Sequence, residues 1–376
     1  MRDAEPAIYL DYNATAPVRP EAAAAVAAAL AEPGNPSSVH GYGRAARGRL
    51  EESRAKVAAL VGAAPSDVVF TSGGSEANAL ALLGAGRARI LVSAIEHDSV
   101  LATVSALGED GAERLPVDGN GVVRLEALEA ALARDPRPTL VSIMRANNET
   151  GVLQPVAEAA MLAHAHGALI HTDAIQAAGK MALDLMELGV DYLSLSAHKI
   201  GGPQGVGALV LRAGASLAAQ HLGGGQERGR RAGTENGPGI AGFGAAAQVA
   251  AKGLADFAHL AALRDRLESE LVAHGAVVYG NAVPRLANTS AIAMPGVASE
   301  TQIMAFDLAG IAVSAGAACS SGKVRPSHVL RAAGASEAEA ACAIRVSLGW
   351  TTKDSDVERL IEAWDALRAR TRSRAA

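Results

Sequence analysis

Residues Asp67–Ala85 read DVVFTSGGSEANALALLGA: a short β-rich run, two glycines followed by Ser75, and then a helical stretch. The same alternation runs outward from about Ser66 to Val210. It recurs in RILVSAIEHDSV (Arg89–Val100), TLVSIMRANNETG (Thr139–Gly151), ALIHTDAIQAAG (Ala168–Gly179) and VDYLSLSAHKI (Val190–Ile200). Strands that alternate with helices predict an α/β fold with a mostly parallel sheet covered on both faces. In such a sheet ligands sit beyond the carboxyl ends of the strands. The polar residues of these runs fall there: Ser72 to Glu76, His97, Asn147 to Thr150, Asp173, Gln176, His198 and Lys199. One pocket would therefore collect them all.

Past this block, a glycine- and arginine-rich loop, HLGGGQERGRRAGTENGPG (His221–Gly239), leads into a long helical stretch from about Gly239 to His274. The pattern then changes to VVYGN, LANTSAIAMPG, a helix near Glu300 to Leu308, IAVSAGAACSSGKVRPSHVLRAAG, AIRVSLGW and a final charged helix, which describe a smaller α+β unit. The expected division is a large domain over 15–252, with 1–14 and 253–376 forming the small one.

The 376 residues suffice for two domains with a full core, and 49% hydrophobic against 19% charged content describes a folded chain. A net charge of -5 gives no general reason to expect nucleic acid or an anionic membrane as partner. No span approaches a transmembrane helix. The first residues, MRDAEPAIYLDYNATAP, lack the apolar core of a signal peptide, and EAAAAVAAALAEPG reads as an ordinary helix closed by Pro33 and Gly34. Two cysteines, Cys319 and Cys342, are too few for a disulfide framework or a paired-cysteine metal site. The expectation is a soluble cytoplasmic protein without bound metal. His164 and His166 of AHAHG, two apart on a helix, do not face one ligand.

Lysine is scarce: Lys56, Lys180, Lys199, Lys252, Lys323 and Lys353 stand among 34 basic residues that are mostly arginine. Lys199 follows a strand and precedes the glycine turn GGPQGVG. An amine desolvated at the mouth of a sheet suits Schiff-base chemistry; a lysine that snorkels from a strand end is the plainer reading. TSGGSEAN offers free N–H groups and a positive helix end for a phosphate, and it also reads as common turn chemistry. Asp173 ends a strand either as a helix cap or as the partner of a protonated ring nitrogen, with Gln176 in reach of a ring substituent. His97 is either a satisfied structural histidine or a group lying on such a ring. Together, phosphate seat, strand-end Asp and strand-end Lys match the needs of pyridoxal 5'-phosphate.

These segments also carry a family likeness. LDYNATAPV, GNPSSVH, FTSGGSEANALAL, EHDSV, NNETG, HTDAIQ, SLSAHKIGGPQGVGAL, GGGQERGRRAGT, SAGAACSSG, PSHVLRAAG and IRVSLG, in that order, resemble the motifs of NifS-type cysteine desulfurases. Those enzymes belong to the class V aminotransferase branch of fold type I pyridoxal phosphate enzymes. The resemblance spans roughly Tyr9 to Trp350. It implies removal of sulfur from L-cysteine, giving L-alanine and a persulfide on Cys319, for iron-sulfur cluster assembly or another sulfur-transfer pathway.

By the same resemblance, Lys199 would hold the cofactor aldehyde as an imine and later act as the base at Cα. Asp173 would pair with the pyridine nitrogen, Gln176 would bond the ring hydroxyl, and His97 would stack on the ring and help to move protons. Gly74, Ser75, Ser196 and His198 would hold the phosphate, joined by Thr234 from the other subunit of a homodimer. Asn148 and Arg345 would take the substrate carboxylate, and Cys319 would be the nucleophile on a mobile, small-residue loop. The implied partner is a sulfur-acceptor protein such as an iron-sulfur scaffold. Cys342 fits a small buried hydrophobe, with no chemistry expected.

Two positions depart from the pattern: Ser75 stands where threonine is frequent, and the chain ends soon after DVERLIEAWDALRARTRSRAA, without the longer tail some relatives use for docking. A selenocysteine lyase or a desulfurase dedicated to tRNA thiolation would share fold and cofactor. A true aminotransferase would leave Cys319 without a task, and a catalytically silent partner protein would not need the full residue set. Arg228, Arg230 and Arg231 of QERGRR read as a nucleic-acid loop only with an aromatic platform, which is missing; they equally frame an entrance.

Overall fold

The computed structural model describes residues 7–108, 111–316 and 326–375. Seven strands form its largest sheet: β1 (Val68–Thr71), β2 (Arg89–Ser93), β3 (Ala112–Leu115), β4 (Thr139–Ser142), β5 (Leu169–Asp173), β6 (Tyr192–Ser196) and β7 (Gly207–Leu211). Their order across the sheet is β1-β7-β6-β5-β4-β2-β3. β7 runs antiparallel to both of its neighbours, and the other pairings are parallel. This is the mostly parallel, helix-covered sheet that the alternation of short apolar runs and helices predicts.

Helices on both faces bury these strands, apart from the edge strand β3, where Arg114 is exposed. In β6, Tyr192, Leu193, Ser194, Leu195 and Ser196 are all buried, so its alternation is one of polarity and not of exposure. The inner serines are satisfied sideways: Ser194 Oγ lies 2.9 Å from His171 Nε2, and His171 Nδ1 lies 2.9 Å from Ser142 Oγ. Burial pushes the His171 imidazole down to about 3, so it is neutral in the fold.

The long helical stretch expected after Gly239 is three helices, Gly237–Lys252, Leu254–Ala258 and Leu260–Ala273, with breaks at Gly253 and His259. Gly253 caps the first of them by donating to the carbonyls of Val249 and Ala250. That helix packs across Pro20–Leu30 and Gly41–Ala59, and Phe243 meets Phe70 edge-on.

A second sheet is built from β8 (Val277–Tyr279), β9 (Thr289–Ala293), β10 (Ser314–Ala315) and β11 (Ala343–Ser347), all antiparallel, in the order β10-β11-β9-β8. Its apolar core includes Leu267, Leu271, Ile292, Phe306, Ile344 and Trp364, separate from the core beneath the seven-stranded sheet. Ile8–Tyr9 pairs in parallel with Ile311–Ala312, so the start of the described chain is anchored beside this second sheet. The segment that follows, Asp11 to Thr15, runs from there to the strand ends of the first sheet, where its carbonyls meet Lys199. Among the described residues no helix is long and apolar enough to cross a membrane.

Candidate active site

Between the strand ends of the large sheet and the edge of the small one lies a cavity of about 360 Å³. Its walls hold Gly74, Ser75, His97, Asn148 and Asp173 from the first half of the chain. Gln176, Ser196, His198, Lys199 and Arg345 complete the set, so ten of the residues singled out in the sequence meet there.

The helix Gly74–Gly84 starts two residues past β1, with its first N–H groups at the cavity wall and no side-chain cap. A helix N-terminus of this kind favours an anion. β7 begins directly against this turn: a Cβ on Gly207 would lie 2.5 Å from the Gly73 carbonyl carbon, which only glycine avoids. Glu76, in the first turn, accepts from the Ser72 N–H at 2.7 Å and from Arg231 Nε at 2.8 Å. Against the effect of burial, these bonds hold its carboxyl below the usual range. Arg228 and Arg230 both donate to the Ser66 carbonyl. Arg231 therefore ties the loop to the strand–helix turn, and Arg228 and Arg230 tie it to the turn that precedes β1.

Asp173 is the last residue of β5 and is buried. Oδ1 accepts from the Ile175 N–H at 2.9 Å and Oδ2 from Asn78 Nδ2 at 2.7 Å; both donors are neutral. Asn78 also donates to Ser99 Oγ at 2.9 Å. The Ser99 hydroxyl and its N–H both reach His97 Nδ1, at 2.9 and 3.1 Å. With Nδ1 accepting, the proton of a neutral His97 sits on Nε2. Burial, and secondarily Lys199, lower this imidazole's proton affinity, with Asp173 opposing. His97 also caps the helix Asp98–Ser105, so the structural and the chemical readings of this residue are compatible.

Lys199 closes a short 3-10 turn, Ala197–Lys199, just beyond β6. Its Nζ donates to the carbonyls of Asn13 and Ala14 at 2.7 and 2.8 Å. Burial first and Arg345 second lower the amine to about 8, with Asp11 and Asp173 pulling the other way. His198, bonded to Thr15 Oγ1 at 3.2 Å, is pushed down to about 4 by burial and by Lys199. Gln176 Nε2 donates to the Asn13 carbonyl at 3.0 Å.

Arg345 projects from the middle of β11 and is buried. One arm donates to Asp11 at 2.8 Å and another to the Asn148 carbonyl at 3.1 Å, while Nε has no partner. A buried guanidinium nitrogen without an acceptor leaves this arginine short of one hydrogen bond.

The comparisons with known proteins bear on this geometry. A model of the family described as aminotransferase class-V matches residues 8–360. The chain belongs to that family. It is 48% identical over 367 residues to a cysteine desulfurase of Cereibacter sphaeroides, covering 94% of each chain, and 45% identical to one of Rhodobacter capsulatus, covering 95% of each. A NifS-like protein of Rickettsia africae superposes with a TM-score of 0.90 at 35% identity, over 96% of this chain and 99% of that one.

Class-V aminotransferases are pyridoxal phosphate enzymes, and the donor set here suits that group. An aldehyde needs an amine of lowered proton affinity, a pyridinium needs a buried carboxylate with only neutral partners, and a phosphate needs a helix N-terminus. Lys199, Asp173 and the start of Gly74–Gly84 have these properties within one cavity.

Ser72, Glu76, Asn147 and Thr150, expected in the same pocket, do not line it, and Thr234 lies elsewhere. Thr234 is exposed in a separate surface cleft with Leu30, Glu32 and Arg49. Cys319 lies outside the described residues. Cys342 is half-buried against Ala293 and Leu330. His164, from AHAHG, pairs with Asp191 at 3.0 Å, whereas His166 turns back to the Leu162 carbonyl.

Besides Glu149, which falls in the run Asn147 to Thr150, three residues in or beside the cavity, Asp11, Asn13 and His328, were not singled out one by one from the sequence. Asp11 and Asn13 enter from the chain's start. Glu149 and His328 line the cavity wall, and both sit in motifs quoted above, NNETG and PSHVLRAAG. Burial raises the Glu149 carboxyl, which the Ser327 hydroxyl contacts. His328 Nε2 lies 3.0 Å from the Glu96 carbonyl. Only motif membership signalled Asp11, Asn13 and His328, because their partners are far away in sequence.

Proposed function

We infer that this chain is a pyridoxal 5'-phosphate-dependent cysteine desulfurase, which converts L-cysteine to L-alanine and passes the sulfur on. The observation that carries this reading is the placement, on one cavity, of the Lys199 amine, lowered to about 8, and the Arg345 guanidinium. An amino acid held by its carboxylate at Arg345 brings its Cα toward Lys199.

When bound, the cofactor supplies an electron sink for the charge left when Cα loses a proton. Its phosphate would rest on the helix start at Gly74 and Ser75, with Ser196 and His198. Its ring nitrogen would face Asp173 and its ring oxygen Gln176, with His97 over the ring. With its proton affinity at about 8, about one Lys199 in ten is a free amine at pH 7, and that amine would take the proton from the Cα of a substrate held at Arg345. The carboxylate is held by Arg345 and Asn148, with Asp11 keeping the guanidinium in place. Neutral His97, with its proton on Nε2, is placed to donate and take back a proton above the ring.

Cys319 is the sulfur acceptor in this reading, on the strength of its motif SAGAACSSG. The balance is L-cysteine plus the Cys319 thiol giving L-alanine plus a Cys319 persulfide, which an acceptor protein such as an iron-sulfur scaffold then discharges. The exposed position of Thr234, away from its own cavity, supports a homodimer in which it completes the partner's phosphate site. The separate apolar cores support a large domain over 15–252 and a small one formed by 1–14 with 253–376. The cytoplasm is the compartment that suits a free reactive thiol.

The test is alanine and sulfide formation from L-cysteine with a reductant, by the wild type and by Cys319→Ala. Equal yields of both products from the wild type and neither from the variant support the reading. Alanine from selenocysteine alone replaces it with a lyase, and a cofactor-loaded protein inert to both substrates removes it.

A further inference from the structure

Lys180 is buried directly behind the wall of the active-site cavity and does not line it. Its Nζ donates to Gln176 Oε1 at 2.7 Å and to Asn13 Oδ1 at 2.7 Å. The charges acting on it are both positive, Lys199 and Arg345. A lysine enclosed in this way is unfavourable unless its N–H groups are well placed. Here they are taken by two amide oxygens.

An amide has two unlike ends, and a lysine N–H can be accepted only by the oxygen. The contact with Lys180 therefore orients Gln176 with Oε1 inward and Nε2 on the cavity side. Nε2 gives one hydrogen to the Asn13 carbonyl, which leaves its second for an acceptor in the cavity. The Asn13 carbonyl also accepts from Lys199, and the Asn13 side chain is held further by Asn288 Nδ2 at 3.1 Å and by its own bond to Thr289 Oγ1 at 2.9 Å.

We propose that Lys180 is a positioning residue: by holding Gln176 Oε1 and Asn13 Oδ1 it aims the Gln176 N–H at the ring oxygen of the cofactor and keeps the Asn13 carbonyl under Lys199. This rests on the reading of Gln176 as the donor to that oxygen. Without Lys180 the amide is free to turn its own oxygen to the ring, where two oxygens repel. A ring oxygen that loses its donor is a worse anion, so the linkage to Lys199 keeps its proton to higher pH. The other charged or titratable groups around that linkage are Arg345, Asp11, Asp173, His97 and His198; none of them is hydrogen-bonded to Lys180, and Arg345 alone among them acts on it through its charge.

The experiment is a visible-absorption pH titration of the cofactor-loaded, substrate-free protein as wild type, Lys180→Met, Gln176→Met and the double variant. Each single change is expected to raise the midpoint of the visible band by about one pH unit, the size of one hydrogen bond to a charged oxygen. The double variant is expected to shift no further than the larger single. Additive shifts overturn the proposal, since Lys180 would then act independently of Gln176. So does a Lys180→Met midpoint equal to wild type beside a shifted Gln176→Met. An unshifted Gln176→Met removes instead the reading of Gln176 beneath the proposal. If Lys180→Met does not fold, Lys180→Leu, which likewise removes every N–H donor, takes its place in the cycle, with non-additivity supporting and additivity overturning.

Discussion

Lys199 and Lys180 are two buried lysines tied to the same residue, Asn13, one through its main-chain carbonyl and the other through its side-chain oxygen. Burial weakens the hold of both on a proton. They differ in what lies on the far side. Lys199 opens onto the cavity, and two carboxylates, Asp11 and Asp173, restore part of its proton affinity and leave it at about 8. Lys180 is closed in among amides, with only cations acting on it, and its proton affinity falls well below the usual lysine range. A lowered proton affinity is therefore no sign of a reagent. Desolvation makes an amine neutral, and access to a cavity makes it a nucleophile.

The sharpest way to break this contrast is to remove each amine. Lys199→Ala should lower alanine formation from L-cysteine by at least about a thousandfold, since nucleophile and base are lost together. An equal loss in Lys180→Met would erase the distinction. Asp173→Asn should cost about 10- to 100-fold in the same assay, the effect of replacing a charge-assisted hydrogen bond by a neutral one. The melting temperature of the cofactor-free protein should stay near that of wild type.

Stability against pH sharpens the contrast from the other side. Folding lowers the Lys199 amine from its ordinary 10.5 to about 8. Between those values the unfolded chain holds a proton that the folded one does not, so stability rises with pH across that window and the penalty is fully present below it. Lys199→Met should accordingly stabilise the cofactor-free protein at pH 7 by roughly 1–3 kcal/mol. The gain should fade as pH climbs from about 8 toward 10.5 in chemical denaturation. A gain that is flat with pH would show that packing, and not charge, explains it.

The smallest effect belongs to the phosphate seat. Ser75→Ala should weaken cofactor retention by about 3- to 10-fold in equilibrium dialysis, while Ser75→Thr, which keeps the hydroxyl, should change it by less than about twofold.

Much of this arrangement was legible in the chain. Short apolar runs ending at Thr71, Ser142, Asp173 and Ser196 announced the sheet, and the polar residues just after them announced where a ligand belongs. The residues that surround Lys199 from outside the α/β block were not legible. Asp11 and Asn13 carry no periodic signal, since their task is to cross from the second sheet to the first. Glu149 makes sense only beside Ser327, and Lys180 only beside Asn13 and Gln176. The helical stretch expected from about Gly239 to His274 divides after its first segment because Gly253 satisfies that segment's last carbonyls, a choice that local periodicity does not reveal.

The sequence by itself determined the strand–helix order, the glycine turn before Ser75, and the placing of Asp173, His97 and Lys199 at strand ends. Each of these follows from residue types and spacing within a few residues, where steric and hydrophobic preferences act locally. Only the tertiary structure decided which amine stands in the cavity and which behind it, and which nitrogen of Arg345 is left without an acceptor. It also put Thr234 on a different surface. Burial, hydrogen-bond partnership and the electrostatics that follow depend on atoms brought together from distant parts of the chain, and no local pattern encodes them.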